Sequence, residues 1–144
     1  MRLTNFCDYS LRVLIYLGGK NEKSSIGEIA QAYRISKNHI VKVVHNLVKL
    51  GYVHSLQGKN GGIRLALLPS EINLGKLVEQ VEPDFDLVEC FIEKENQCRI
   101  APACRLKGLL GEARKAFLDT LKRYTLADIL KNRSSLLSLV GQQA

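Results

Sequence analysis

The 144-residue sequence predicts a mainly α-helical fold with one small β-hairpin: a winged helix-turn-helix followed by a long C-terminal dimerisation helix. Two helices with capping signals follow each other closely between Ser25 and Leu50, which is typical of a helix-turn-helix. A strand, a glycine-rich turn and a second strand come directly after them, in the order that a winged helix requires. The third observation is an amphipathic segment of helical period over 105–123.

The first three helices are predicted from their caps. Thr4 is the N-cap of a helix that we expect to end at the pair Gly18-Gly19, because glycine is common just after a helix. Ser25 and Glu28 form a capping box for a short second helix. Ser36 offers the next N-cap, so a third helix is predicted over 37–50, closed by a glycine.

The hairpin and a fourth helix follow. Residues 52–55 and 63–67 alternate like strands, and the turn between them is Gly58-Lys59-Asn60-Gly61-Gly62. A short helix is predicted over 72–81, where a Glu-Pro pair ends it.

The chain then changes character. Residues 82–103 hold six acidic residues, two prolines and two of the four cysteines, which predicts an irregular loop. A long helix is predicted over 105–123, and Thr125 and Asp128 form a capping box for a short helix over 126–131. We expect the remaining tail to be frayed.

Composition and charge narrow the classes of partner. The chain is 46% hydrophobic and 24% charged, and its apolar runs stay well short of the ~20 residues that span a bilayer. Its start lacks the pattern of a secretory signal, so no membrane partner and a cytoplasmic location are expected. The net charge is +7, and residues 1–80 carry 11 Lys/Arg against 5 Asp/Glu. This basic half fits a polyanion such as nucleic acid, and on charge alone it fits a solvated surface equally well.

The predicted third helix carries hydrogen-bond donors on the face opposite its apolar stripe. They recur at helical spacing, and acidic residues are absent from 36–50. Such a face suits phosphate oxygens and base edges in a major groove, although alone it would indicate a solvated surface. The basic wing in the right order favours double-stranded DNA. The predicted DNA-binding residues are Ser36, Lys37, Asn38, His39, Lys42, His45, Lys49, Lys59, Asn60, Gly61, Gly62 and Arg64.

These elements divide the chain into three parts. Residues 1–81 are interpreted as the DNA-binding domain, 82–104 as a cofactor-binding loop, and 105–144 as a dimerisation helix with a C-terminal tail. The apolar stripe of the long helix either packs on its own core or pairs with a second copy. We favour a homodimer, because proteins that read grooves commonly act as two-fold pairs on palindromic sites.

Three cysteines have the spacing C-x7-C-x5-C: Cys90, Cys98 and Cys104. Structural zinc usually takes four ligands with closer pairs, so zinc is disfavoured. An iron–sulfur cluster tolerates wider gaps and needs a fourth ligand from elsewhere. Three unliganded thiols, acting as a redox sensor, are the alternative, and spacing alone leaves both open. Cys7 is interpreted as a small buried apolar residue.

No pattern in the sequence predicts an enzyme. A Ser/His/Asp grouping, a phosphate-binding glycine loop and a metal-hydrolase motif are all missing from it. The three histidines, His39, His45 and His54, fall in the half of the chain predicted to bind DNA. A non-enzymatic regulator is therefore expected.

Several segments together form a specific pattern. They are residues 3–12, 35–39, 51–53, 58–65, 102–107 and 124–128, together with the three cysteines. With them the chain resembles, over nearly its whole length, the nitric-oxide-sensing NsrR repressors of the Rrf2 family, in particular the Bacillus-like members.

The resemblance implies a homodimer with one iron–sulfur cluster per subunit, [4Fe–4S] favoured and [2Fe–2S] possible. Cys90, Cys98 and Cys104 are the implied ligands, and Asp8 from the other subunit's first helix is the implied fourth. The plain alternative for Asp8 is an acid favoured by the dipole at a helix start. The implied function is a nitric-oxide-responsive repressor on palindromic DNA; the alternative is a redox- or cluster-status-sensing regulator without nitric oxide specificity.

Two departures from the family pattern stand out. Lys107 occupies the position where iron–sulfur-biogenesis regulators of the family carry a histidine ligand, which argues against that function. Gln57 stands where many relatives have arginine, and so the wing lacks one expected contact with DNA.

Overall fold

Helices make up most of the described chain, which comprises residues 2–59 and 61–141 of a computed structural model. The elements in order are α1 (Asn5–Lys20), α2 (Ile26–Tyr33), α3 (Lys37–Lys49), β1 (Val53–Leu56), β2 (Gly62–Leu65), α4 (Leu74–Val81), α5 (Arg105–Lys122), α6 (Leu126–Ile129) and α7 (Arg133–Gly141). Short 3-10 turns lie at Pro69–Glu71, Glu89–Phe91 and Ala101–Ala103. The predicted fold class, mainly helical with a small hairpin, is confirmed.

The start of α1 is as predicted and its end is not. Thr4 caps the first turn through its side chain. The helix passes through Gly18 and Gly19 and ends one residue later, where Asn21 takes a left-handed conformation with φ 55°. The prediction that the glycine pair ends α1 is therefore wrong.

Close packing explains the two glycines. A Cβ on Gly18 would lie 2.6 Å from Leu130 Cδ1, and one on Gly19 would lie 3.5 Å from Leu137 Cδ2. The C-terminal residues of the chain therefore pack directly on the backbone of α1. Both glycines are buried inside the helix and serve this contact.

The helix-turn-helix forms at the predicted place. The capping box of α2 is complete, with the Glu28 N–H donating to Ser25 Oγ (3.1 Å) and the Ser25 N–H donating to Glu28 Oε2 (2.6 Å). In the described structure Ser36 stands at the N-cap of α3 without a side-chain capping bond. Gly51 follows α3 with a φ of 82°, as the predicted closing glycine.

The wing is anchored at its base. Strands β1 and β2 pair antiparallel, with Val53 opposite Leu65. Ile63 also pairs with Ser24, through two backbone hydrogen bonds of 2.8 and 2.9 Å. The hairpin is therefore fixed to the segment before α2, and residues 57–59 and 61 belong to its tip.

One hydrophobic core joins the helix-turn-helix to α4 and α6. Its largest fully buried side chains include Leu14, Leu17, Ile29, Ile40, Leu47, Ile72, Leu77 and Leu126. Because α6 contributes to this core, the chain returns to its N-terminal domain after α5. None of the helices in the described part is long and apolar enough to cross a bilayer.

The start of α4 and the end of α5 form a tight joint. The Asn73 side-chain amide donates to the Lys122 carbonyl (2.7 Å), and the Leu74 N–H donates to the Tyr124 carbonyl (3.0 Å). The helices cross at Gly75, where a Cβ would lie 2.6 Å from Lys122 N. The C-terminal end of α5 is therefore held firmly against the DNA-binding domain.

The C-terminal region is more ordered than predicted. The Asp128 carboxylate accepts hydrogen bonds from the Thr125 N–H and hydroxyl (both 2.9 Å), which confirms the predicted cap of α6. The prediction of a frayed tail is wrong for Arg133–Gly141, which form α7 and contact α1. The packing of Leu137 on Gly19 accounts for this order.

We expect Gly75→Ala to lower the free energy of unfolding by about 1–3 kcal/mol, because the added methyl must displace the backbone of Lys122. Chemical denaturation followed by circular dichroism measures the change. Gly27→Ala in α2 is the control, since its Cβ would meet only Ser25 Oγ at an ordinary 3.7 Å. Equal free energies of unfolding for the two variants would show that α4 and α5 can move apart at Gly75 without loss of stability.

Candidate functional site

Helix α3 presents one continuous exposed face. Its opposite face is buried in the core through Ile40, Val43, Val44 and Leu47. Each predicted DNA-binding residue of this helix is exposed or partly exposed, namely Ser36, Lys37, Asn38, His39, Lys42, His45 and Lys49. The structure therefore brings the predicted donors together on one surface.

Two exposed residues of α3 were missing from the predicted set. Val41 is 43% exposed and Val48 is 36% exposed. They lie three and four residues from the buried Val44, so they flank the buried stripe at its edge. Because this spacing is the one that core residues have, no signal in the sequence indicated their exposure.

The wing adds a second exposed basic surface. Lys59 and Arg64 are exposed, and the strand register places Arg64 opposite His54, another exposed side chain that the prediction left out.

The turn needs Gly61, because a Cβ there would lie 2.9 Å from the Gly58 carbonyl oxygen. Gly62 opens β2 and is partly exposed, while the predicted contact Asn60 lies outside the described residues.

The three predicted cofactor ligands lie on one loop. Cys90, Cys98 and Cys104 are half-buried free thiols, and Cys104 is the residue directly before α5. Glu89 accepts a 2.6 Å hydrogen bond from the Gln97 N–H. These two residues directly precede Cys90 and Cys98, so the bond links the two parts of the loop that carry them. Within residues 2–59 and 61–141, no three His, Cys, Asp or Glu side chains are arranged to hold a metal ion. The loop therefore carries three thiols without gathering them around one point.

Asp8 lies elsewhere, on the first turns of α1. Arg12 donates to both oxygens of its carboxylate, from Nη2 to Oδ2 at 2.8 Å and from Nε to Oδ1 at 3.1 Å. Both side chains are a little over two-fifths exposed. In the described part of one chain, Asp8 does not join the cysteines in a donor group.

Glu82 connects the start of the cysteine loop to the start of α1. It follows α4 directly, and its Oε1 accepts a hydrogen bond from the Thr4 N–H at 2.9 Å. Its Oε2 accepts from the Thr4 hydroxyl at 3.1 Å. A charged acceptor at a helix N-terminus is favoured by the helix dipole. The contact spans 78 residues, and no local pattern in the sequence predicts it.

Cys7 is buried and protonated. Burial raises the pKa of its thiol from 9.0 to about 12, and a hydrogen bond with Glu82 and that residue's negative charge act in the same direction. A metal ligand must be the thiolate. Cys7 therefore fits the predicted role of a small buried residue and does not suit that of a ligand.

Within the described part of the chain, the apolar stripe of α5 is covered only toward its C-terminal end, where Leu118 and Leu121 pack against the core. Leu106 and Leu109 are 59% and 61% exposed. Farther along, Leu110 and Phe117 line an open groove of about 720 Å³, whose other walls are residues 2–4 and 82–87. This surface extends from the cysteine loop along α5.

Comparison with known proteins gives one consistent result. Residues 3–132 match the Rrf2 family, described as an iron-dependent transcriptional regulator. The "HTH-type transcriptional regulator NsrR" of Bacillus licheniformis is 50% identical over 143 residues, covering 98% of this chain and all of that protein. Its namesake in Bacillus subtilis is 49% identical over 142 residues, 97% of each chain. The solved structure of oxidized Staphylococcus aureus CymR has a TM-score of 0.72 at 25% identity, covering 91% of this chain and 97% of that one.

The state of Cys7 can be tested by alkylation. In reduced, metal-free protein at pH 8, we expect iodoacetamide to modify Cys90, Cys98 and Cys104 while Cys7 stays intact. A pKa of about 12 leaves about a thousandfold less thiolate than the ordinary value of 9.0. Peptide mass spectrometry gives the extent at each site, and unfolded protein, in which all four thiols react, is the control. Modification of Cys7 at the rate of Cys98 would contradict its burial.

Proposed function

The chain belongs to the Rrf2 family of transcriptional regulators, and we propose that it is a nitric-oxide-responsive repressor that carries an iron–sulfur cluster. The observation that carries the proposal is the position of three free thiols on a single loop that leads directly into α5. Relatives of about 50% identity over their whole length are named transcriptional regulators, and so the chain is a regulator rather than an enzyme.

We propose that α3 and the wing bind duplex DNA. Helix α3 would lie in the major groove with its exposed donors toward base edges and phosphates, and Lys59 and Arg64 would reach the backbone or the minor groove beside it. Phosphate contacts of this kind give binding that weakens steeply with salt.

The functional unit in this proposal is a homodimer. The exposed leucines of α5 and the groove beside them form an apolar surface that a second copy of α5 would cover. Two copies of α3 would then read the two halves of a palindrome, about 34 Å apart along the duplex. We assign residues 1–81 to DNA binding, 82–104 to the cluster and α5 to dimerisation.

The donor chemistry of the loop fits an iron–sulfur cluster. Thiolates are the usual protein ligands of such clusters, and Cys90, Cys98 and Cys104 are free and partly exposed. The partner subunit's Asp8 would complete the set, because Asp8 does not join the cysteines of its own chain in the described residues. Arg12 would keep that carboxylate oriented on α1. We favour [4Fe–4S] over [2Fe–2S] on the resemblance to NsrR repressors.

When bound, the cluster supplies iron that reacts with nitric oxide. The response of the chain depends on its own attachments, since the loop is fixed at one end by Glu82 on Thr4 and at the other by Cys104 at the start of α5. With its thiols held together, the loop fixes the first turn of α5. With its thiols released, the loop is free to move, α5 shifts at the dimer interface, and the two α3 helices lose the spacing that the operator requires.

A second candidate is a regulator that senses oxidants through its thiols without a cluster. It is favoured by the finding that the three cysteines are not gathered into a metal-binding group in the described residues. Half-buried free thiols of this kind are open to reversible oxidation.

One experiment separates the two candidates. Protein purified without oxygen is analysed for iron and sulfide and titrated on a duplex selected from a random-sequence library, by fluorescence anisotropy. We expect bound iron, and a fall in affinity of about tenfold or more on adding nitric oxide, within the usual range of allosteric coupling. Cys98→Ala should lose the iron and the response, while Cys7→Ala, outside the ligand set, should keep both.

An iron-free protein that binds the duplex and ignores nitric oxide would overturn the proposal. If peroxide alone releases the DNA, thiol sensing is the function instead. If no duplex is bound above the level of non-specific competitor, the chain is not a DNA-binding regulator of this kind.

A further inference from the structure

One apolar side chain stands among the donors on the exposed face of α3. Val41 is 43% exposed, unlike its neighbours Ile40 and Val43, which are fully buried. Single exposed apolar residues are common on protein surfaces and alone need no explanation. The position of Val41 within this face is what makes it informative.

Helical geometry places Val41 directly beside the polar residues of the face. Positions three and four apart are neighbours on a helix, so Val41 lies between Asn38 and His45, with Lys42 next to it. His39 marks the opposite edge, where its ring lies 6.1 Å from that of Tyr9 on α1. Val41 is also the fifth residue of the helix, within the N-terminal part that touches base edges in helix-turn-helix proteins.

Seating α3 in a major groove would remove Val41 from water. Its side chain cannot accept or donate a hydrogen bond, so at this position it is compatible only with an apolar partner. The major groove offers one such group, the C5-methyl of thymine. A valine in a helix is almost fixed about χ1, so its methyls are held in place before binding.

We propose that Val41 reads a thymine in each half of the operator, by packing its side chain on the C5-methyl group. The proposal rests on the proposed function, since it requires α3 to lie in the major groove. It adds a base preference that the polar residues of the face do not supply. Asn38 and His45, on either side, would contact base edges or phosphates near that thymine.

Removal of single methyl groups from the DNA tests the proposal. The anaerobically purified full-length protein is titrated on a duplex selected from a random-sequence library, and then on copies in which each thymine in turn is replaced by deoxyuridine. We expect one thymine in each half-site whose replacement weakens binding about fourfold, the value of one buried methyl group. Val41→Ala alters both subunits of the dimer, so the affinity for the unmodified duplex should fall by the product of the two half-site effects, about sixteenfold. In this variant, deoxyuridine at either of those two positions should weaken binding no further.

Two further variants serve as controls. Val48→Ala removes the other exposed valine of α3, which lies two turns nearer the helix C-terminus, and should keep the full thymine preference. Val41→Thr retains one of the two methyl groups and should keep part of the thymine preference. If each deoxyuridine changes the affinity of wild type and of Val41→Ala by the same factor, the assignment of Val41 is wrong. DNA binding by α3 would still stand in that case. Failure of the wild-type protein to select any duplex would overturn the proposed function and this assignment together.

Discussion

The joint between α4 and α5 is the constraint that relates the cysteine loop to the DNA-binding helices. The Asn73 side chain makes two contacts there: its oxygen accepts from the Lys76 N–H and caps α4, and its amide donates to the Lys122 carbonyl at the end of α5. Gly75 allows the two backbones to meet. Because a helix is stiff over 18 residues, a displacement at the loop end of α5 is transmitted to this joint rather than absorbed along the way. A displacement of the loop would therefore have a rigid path to the core around α3.

The other end of the loop is held by a different kind of contact. Glu82 binds the first turn of α1 through hydrogen bonds with Thr4, in a half-buried setting where a charged acceptor meets unpaired N–H groups. Asp8 lies one turn farther along the same helix. The proposed fourth ligand, Asp8, and the start of the proposed cluster loop, Glu82, are thus held together by the first turn of α1. In a dimer with shared ligands, that arrangement would place each subunit's α1 under the influence of both loops.

The elements that could be predicted from the sequence were those with local causes. The Ser25–Glu28 box, the closing Gly51 and the stripe of α5 each depend on residues within a turn or two, and the structure confirms them. Contacts between distant parts of the chain could not be predicted. The continuation of α1 through Gly18 depends on Leu130, and the order of α7 depends on Gly19. In the candidate site, the exposed face of α3 followed from periodicity, whereas the ligand roles of Asp8 and the three cysteines come from family resemblance and remain proposals.

The hydrogen bonds between Ser24 and Ile63 also bear on how this regulator could diversify. They attach β2 to the segment before α2, so the hairpin does not depend on its own turn for its place on the domain. Insertions or substitutions in residues 57–59 and 61 would change the reach and charge of the tip while the core and α3 stay as they are. If the wing contacts DNA as proposed, the same fold could acquire new operators by drift in these few residues, and the tip is the place to randomise when a regulator with altered DNA targets is to be engineered.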